Sequence, residues 1–452
     1  MNEIRRKLSS LLKEDTILRR VLRNTGYMFS SQSITLVLAL VQSVFAARLL
    51  GTAAFGMIGI ITQFVSSVNR LFSFRMGEFV VRFLGKELND RNIDRAGAVV
   101  KAAASTEAVT SILAYVALYL LAPLGAQYIA KDPSVTGLIR LFGLSILAQI
   151  TTETANGVLQ ITNHFRTQAV INTIQGTFTA VMIFVAFLTK ADLIVVLWAY
   201  LIGKFITGLL PILMAFIYLE RNLKRGWWNA PMSLLPSFKE MMGFAFSTNL
   251  SGTVKMLSTE SESLWVGYFL DPAAVGLYKI ALAIVTPLMM PITPFISTTF
   301  PEITRSIVAK KWSQLKQLLR RVTLISAVWT VAVFLGMALF GRWVITVIYT
   351  AQFVGAYPAL MILILGFGIA NIFFWNRTLL LSFGKANIPL YVLTAAMLLK
   401  IGLSFIVVPA FGINGEAALL AGNQILSVGA LVAIGLMMIG KAEKTEPEGV
   451  AA

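Results

Sequence analysis

Twelve apolar runs, each long enough to cross a lipid bilayer, constrain this 452-residue chain more than any other feature it carries. They fall at about 25–48, 54–74, 97–122, 135–160, 167–189 and 192–219, then at about 240–268, 273–300, 319–348, 355–382, 388–409 and 413–440. A hydrocarbon core about 30 Å thick takes roughly 20 apolar residues of helix to span. The runs therefore predict an all-α polytopic membrane protein of about twelve transmembrane helices. Composition agrees: 57% of residues are hydrophobic and 13% charged, whereas soluble domains carry roughly 25% charged residues. An ordinary globular enzyme is excluded, because one soluble core could not bury this much apolar side chain.

The charge balance is 38 Lys and Arg against 21 Asp and Glu, a net +17. A nucleic-acid binder would gather its basic residues on one polar face or tail. Here they lie between the apolar runs, so no nucleic-acid partner is expected and membrane orientation accounts for them. With an even number of spans, 27 basic residues fall on the side of the termini. Only Arg48, Lys131, Lys190 and Arg342 fall on the other. Both termini are thus expected in the cytoplasm of a cell-membrane protein. Residues 1–23 hold apolar positions at helical spacing among many charges, too many for a cleaved signal peptide. They predict an amphipathic helix on the cytoplasmic membrane surface. Residues 441–452 are expected to form a disordered cytoplasmic tail.

No cysteine and a single histidine, His164, leave no thiol chemistry, no His-rich metal site and little material for a catalytic triad. The outward loops are all short, so a domain that would hold a glycosyl acceptor has no place. No Walker A sequence is present. Neither an enzymatic activity nor a bound cofactor is expected.

The two halves repeat at an offset of 220 residues. LGTAAFGMIGI at 50–60 aligns with LDPAAVGLYKI at 270–280, and Asn156, Leu159 and Thr162 fall on Asn376, Leu379 and Ser382. Six helices per repeat is an even number, so the halves share orientation about an axis along the membrane normal. The expected organisation is two six-helix bundles, 24–219 and 240–440, joined by a basic cytoplasmic linker at 220–239. Such a pair suits alternating access; a duplication without moving parts is the plainer reading.

Several spans carry polar residues at helical spacing, among them Gln63 and Ser67 in the second, Glu153 and Asn156 in the fourth, and Lys255, Ser258 and Glu262 in the seventh. Hydrogen bonding between helices explains the small polar ones. Charges cost more, about 2.5–3.5 kcal/mol each at mid-bilayer on insertion scales. Arg140, Lys204 and Lys400 are read as snorkelling or paired. Arg70, Arg75, Lys255 and Lys279 lie in the second, seventh and eighth spans, with Glu78, Glu260 and Glu262 as acidic neighbours. These cations suit an anionic ligand, guanidinium matching phosphate oxygens in particular. They equally suit a salt-bridge gate, such as Arg75 with Glu260 or Glu262. Four prolines in PLMMPITPFISTTFP, 287–301, predict a bent eighth span.

The segment NTGYMFSSQSITLVLALVQSVFAARLLGTAAFGMIGIITQF, with Ala47, Arg48, Leu50, Gly51, Phe55 and Gly56 at the turn, resembles the first two helices of polysaccharide biosynthesis and export flippases. FLDPAAVGLYKIA at 269–281 echoes it. The resemblance covers roughly 20–440. It implies membership of the multidrug/oligosaccharidyl-lipid/polysaccharide exporter superfamily, whose two six-helix bundles form a V-shaped cavity. It further implies transfer of an undecaprenyl-diphosphate-linked oligosaccharide to the outer leaflet, with Arg70, Arg75, Lys255 and Lys279 at the diphosphate. Gln63, Asn156 and Asn376 join them as candidate substrate contacts. Glu78, Glu260 and Glu262 stand as candidates for a coupling Na+ or H+, or for the gate. Peptidoglycan-precursor flippases of the superfamily usually have fourteen spans, so about twelve favours the polysaccharide branch. Membrane lipid and the pathway's glycosyltransferases or polymerase are the partners this implies. Two rivals remain: a cation-coupled multidrug antiporter of the same fold, and a non-transporting scaffold of a glycan-synthesis complex.

Overall fold

A computed structural model describes residues 16–223, 226–235, 238–385 and 387–445. Within these, the side chains of residues 16–25, 27, 29, 222, 238–240, 242, 247, 248, 251, 255, 294 and 297 lie outside the description. The amphipathic helix expected at 1–23 is therefore described only as backbone from Thr16 onward. The described residues are helical almost throughout, with no strand among them.

The first helix, Thr16–Phe72, would be about 85 Å long if straight, close to three times the hydrocarbon thickness. It is broken at Gly51 (φ 72°, ψ −176°), in a backbone region that glycine enters without steric cost. Asn387–Thr445 is broken in the same way at Gly412 (φ 60°, ψ −142°). These breaks define α1 (16–50) and α2 (52–72, resuming as Gly77–Asn89). Next come α3 (Ile93–Leu124), α4 (Thr136–Ala148, resuming as Thr152–Ile161), α5 (Phe165–Leu188) and α6 (Leu193–Asn222). The second half holds α7 (Phe238–Thr259, resuming as Glu262–Phe269) and α8 (Pro272–Met289, resuming as Thr293–Val308). It continues with α9 (Trp312–Ile348), α10 (Tyr357–Ile372, resuming as Asn376–Ser382), α11 (387–411) and α12 (413–445).

Among the described residues nine helical stretches are long and apolar enough to cross a membrane, and the first and last of them each contain one of the two glycine breaks. The remaining span, α7, is less apolar because Lys255, Glu260 and Glu262 sit in it. Divided at those glycines and with α7 added, the described residues give twelve helices, within a few residues of the apolar runs. Of the expected tail, α12 takes the part up to Thr445.

Four of the five broken spans follow the sequence repeat, and the break in α7 has no counterpart in α1. α2 breaks at 73–76 and α8 at Met290–Ile292; α4 breaks at 149–151 and α10 at 373–375. Each pair is separated by close to 220 residues. In α8 the break falls among the expected prolines, Pro287, Pro291 and Pro301. A broken helix frees backbone groups that lipid cannot satisfy, so polar side chains must reach them. The Phe74 N–H donates to Thr110 Oγ1 at 3.1 Å and the Arg75 N–H to Asn249 Oδ1 at 2.7 Å.

Two compact units are present. One contains the chain up to Leu49, Val65–Pro123 and Thr136–Gly252; the other contains Leu50–Phe64, Leu124–Val135 and the chain from Thr253. The first is built on Phe79, Val80, Phe83, Val99, Val158 and Leu219, all buried, and the second has a core of Ile303, Trp312, Leu315, Trp375, Leu379 and Ile439. Within the second unit the repeated motif explains itself. Gly56 and Gly276 are repeat equivalents. A Cβ on Gly56 would lie 1.7 Å from the Pro272 carbonyl oxygen, and one on Gly276 would lie 2.1 Å from that of Thr52. α2 and α8 cross backbone against backbone at matching glycines, as small residues permit between membrane helices. On α9, Leu324, Val328, Val331, Leu335 and Leu339 are exposed at helical spacing, which is the surface a lipid-facing helix presents.

Candidate functional site

In the first unit the polar residues gather where α2 and α4 break. Glu107, on α3, is 2% exposed. Its carboxylate accepts the backbone N–H of Glu153 at 2.9 Å and of Thr154 at 2.8 Å, in the first turn of the resumed α4. A carboxylate there satisfies donors that the helix leaves open and complements its dipole. Held in this way, Glu153 receives Arg75, whose Nε and Nη2 both donate to Glu153 Oε1, at 3.2 and 3.1 Å. Both side chains are substantially exposed, 50% and 38%. An ion pair that open contributes only ~0–1 kcal/mol and separates readily. Nearby, the positive charges of Arg70 and Lys204 act on each other. Lys204 lies mid-way along α6 and is exposed; among the described residues no carboxylate pairs with it.

In the second unit Lys279, on α8, has its ammonium 5.2 Å from the centre of the Phe55 ring. Such a contact contributes about 2 kcal/mol when desolvated. Gly59 makes room for the side chain, since a Cβ there would lie 2.3 Å from Lys279 Cδ. Among the described residues no carboxylate is paired with Lys279. A separate cluster lies deeper. Lys400 of α11 is bonded to Glu262 of α7 and stands 3.4 Å from Glu416 of α12. The three are 2%, 2% and 0% exposed. Removing one partner from a buried pair leaves an uncompensated charge and costs about 3–5 kcal/mol.

The remaining candidates divide clearly. Gln63 donates through Nε2 to the Glu260 carbonyl at 2.6 Å, at the break in α7, so its amide serves backbone that the break leaves open. Asn156 accepts from Gln168 Nε2 through its side-chain oxygen at 3.0 Å and through its carbonyl at 3.2 Å. Asn376 donates to the Phe373 carbonyl at 2.7 Å beside the α10 break. Helix-to-helix bonding and backbone repair account for these three amides. Glu78 is exposed in the first turn of Gly77–Asn89, where its charge suits the helix dipole. Of the residues expected at a gate, Arg75 pairs with Glu153 inside the first unit and Glu262 with Lys400 inside the second. The Lys255 side chain lies outside the described residues; its backbone belongs to α7.

Four residues gain importance that the sequence reading did not give them: Glu107, Glu416, Lys204 and Lys400. Each was visible as an ionisable group inside an apolar run, a signal that by itself marks a functional or paired position. Arg140, by contrast, is paired as expected: its guanidinium lies 3.9 Å from the Tyr119 ring centre and Nε donates to the Tyr119 carbonyl. Outside the spans, hydrogen bonds from Ser134 hold Asp132 below the usual carboxylate range, and burial against the Tyr218 ring lowers His164.

Twelve helices with paired breaks and charges set within them define an integral membrane protein, and solved structures share this fold. An inward-facing multidrug resistance MATE family transporter of the MOP superfamily matches with a TM-score of 0.71 at 13% identity, over 93% of this chain and 99% of that one. The lipid II flippase MurJ in an inward closed conformation matches equally, with a TM-score of 0.71 at 14% identity over 93% and 92%. The sequence profile described as "Polysaccharide biosynthesis protein" covers residues 45–358, and the chain belongs to that family. A curated relative, inner membrane protein YghQ of Escherichia coli (strain K12), is 23% identical over 64% of this chain and 82% of its own length. The two solved structures are a transporter and a flippase, and the chain is a multi-pass membrane protein.

Proposed function

We propose that this protein carries an undecaprenyl-diphosphate-linked oligosaccharide from the cytoplasmic to the outer leaflet of the inner membrane. It does so by alternating access of two six-helix bundles, 24–219 and 240–440, with both termini cytoplasmic. The observation that carries the reading is the presence of Lys204 and Lys279 within spans, neither paired with a carboxylate among the described residues. Cations kept in a membrane without acidic partners suit an anion that arrives with its own charge. Arg70, Arg75 and Lys255 add to this capacity, and Arg75 leaves Glu153 at small cost when phosphate oxygens compete for it. A diphosphate and its sugars cannot enter hydrocarbon unaided, because their desolvation is prohibitive. The inside-negative potential assists an outward-moving anion by ~2.3 kcal/mol per charge per 100 mV. Membrane lipid and the glycosyltransferases or polymerase of the same pathway are the working partners.

The test is flipping of a fluorescent diphosphate-linked sugar lipid by purified protein in liposomes. The wild type should flip it, and Lys279→Ala and Lys204→Ala should each lower the rate at least about tenfold, the effect of losing about 1.4 kcal/mol of differential binding. Full activity of both variants would overturn the assignment. A multidrug antiporter for organic cations would need an acid open to its cargo, yet Glu153 is paired with Arg75 and Glu262 is held by Lys400. Resistance to cationic dyes without lipid flipping would favour that role, and neither activity would leave the scaffold.

A further inference from the structure

We infer that Glu262 and Glu416 together bind one exchangeable proton, beside the fixed ammonium of Lys400. The three groups are almost fully buried. Two carboxylates and one ammonium leave a net charge of −1 in a region without water, a state that apolar surroundings oppose strongly. Glu262 and Glu416 meet on the same ammonium, the first bonded to Lys400 and the second 3.4 Å from it, so the two carboxylates are neighbours across one cation. Two ionised carboxylates have no hydrogen to share, so that proximity becomes attractive only when one of them is protonated. The unused bonding capacity points the same way. Among the described residues Glu262 Oε2, both oxygens of Glu416 and the Tyr278 hydroxyl have no hydrogen-bond partner. Tyr278 is 0% exposed and close enough to feel both carboxylates.

Every element packed on the cluster can be named. α8 brings Tyr278, while its neighbour Lys279 lies against Phe55. α11 brings Lys400, α12 brings Glu416 and the neutral Asn423, and Ser258 of α7 receives Asn423 Nδ2 at 3.4 Å. α7 also carries Glu260 two residues before Glu262. Leu124–Val135 contributes Ile129 against Gly267, with Tyr128 exposed. α10, packed on α12, carries Tyr357, whose hydroxyl donates to the Ala338 carbonyl, and Arg377, which is exposed on the resumed segment.

The proton enters from water and forms an O–H bond on one carboxyl, which then donates to the other; no other bond changes. A sodium ion fits poorly, because Lys400 already occupies the cationic position among these oxygens. Proton binding and closure of α7, α11 and α12 are therefore linked: the cluster closes dry when protonated and admits water when not. Binding of the proton is independent of the cargo. Its use in driving transport rests on the flippase reading above.

The test is infrared difference spectroscopy of the full-length protein in lipid nanodiscs, titrated with pH. The expected result is a protonated-carboxyl C=O band that shifts on deuteration, titrates with one proton per chain and is lost in Glu416→Gln. At constant pH, exchanging choline chloride for sodium chloride should leave it unchanged. Absence of the band in the wild type at every pH where the protein stays folded would overturn the proposal without recourse to any variant. So would its persistence in both Glu416→Gln and Glu262→Gln, or its displacement by sodium. A titrating band in a protein that flips no diphosphate lipid would leave the proton site standing and remove the cargo assignment.

Discussion

Replacing Glu107 with alanine tests whether one buried carboxylate organises the charged break of the first unit. The side chain accepts two backbone N–H groups, from Glu153 at 2.9 Å and Thr154 at 2.8 Å, and is 2% exposed. A hydrogen bond to a charged acceptor contributes about 1.5–3 kcal/mol, and both donors would be left open in a site water does not reach, so Glu107→Ala should cost about 3–6 kcal/mol. For a domain of 150–250 residues, each kcal/mol lowers Tm by about 2–4 °C, so a fall of at least about 6 °C is expected. Glu107→Gln retains one acceptor oxygen and turns an amide donor toward the second N–H, and should fall roughly half as far. The assay is thermal unfolding of purified protein in detergent, followed by loss of the monodisperse peak in size-exclusion chromatography. A Tm for Glu107→Ala within about 1 °C of wild type would refute the reasoning, because the two N–H groups would then have another acceptor. Equal losses for alanine and glutamine would refute it differently, by assigning the role to charge rather than to acceptor count.

Lys400→Met removes the cation between two buried carboxyls and should destabilise by about 3–5 kcal/mol in the same thermal assay, with partial recovery on adding Glu262→Gln. Gly56→Val should prevent recovery of folded protein, since its Cβ would meet the Pro272 backbone at 1.7 Å and no side chain can yield there; Gly243→Ala, with open space around it, should express normally. His164 is held below its ordinary pKa of 6.5 by burial, so the unfolded chain binds the extra proton more readily. Stability should therefore fall as pH drops below that value, and His164→Phe should flatten this slope in Tm against pH.

The residues differ in how far the sequence discloses their roles. The twelve spans and the bend at the prolines of α8 were legible because the bilayer imposes one length scale and one hydrogen-bonding demand on every helix. The repeat at 220 residues was legible as matching letters, yet the reason for its glycines was not: Gly56 and Gly276 matter because their backbones touch. Of the cations, Lys279 was identified from its span alone, whereas Lys204 and Lys400 looked alike in sequence. One remains exposed beside Arg70 and the other is buried against Glu262, 138 residues away. The same applies to the polar amides. Gln63, Asn156 and Asn376 read as ligand contacts on their helical stripes, and only the structure shows the backbone groups at helix breaks, or the neighbouring helix, that they also bond.

Sequence alone determined that this chain lives in lipid and that its halves carry a repeat, since both follow from hydropathy, length and register along the chain. Tertiary structure alone decided which charges are paired. Arg75 found Glu153, Lys400 found Glu262 and Glu416, and Lys279 was left to an aromatic ring. Charge pairing depends on distances of a few ångströms between helices far apart in the chain, and helical periodicity specifies the face a residue occupies without naming the helix it meets.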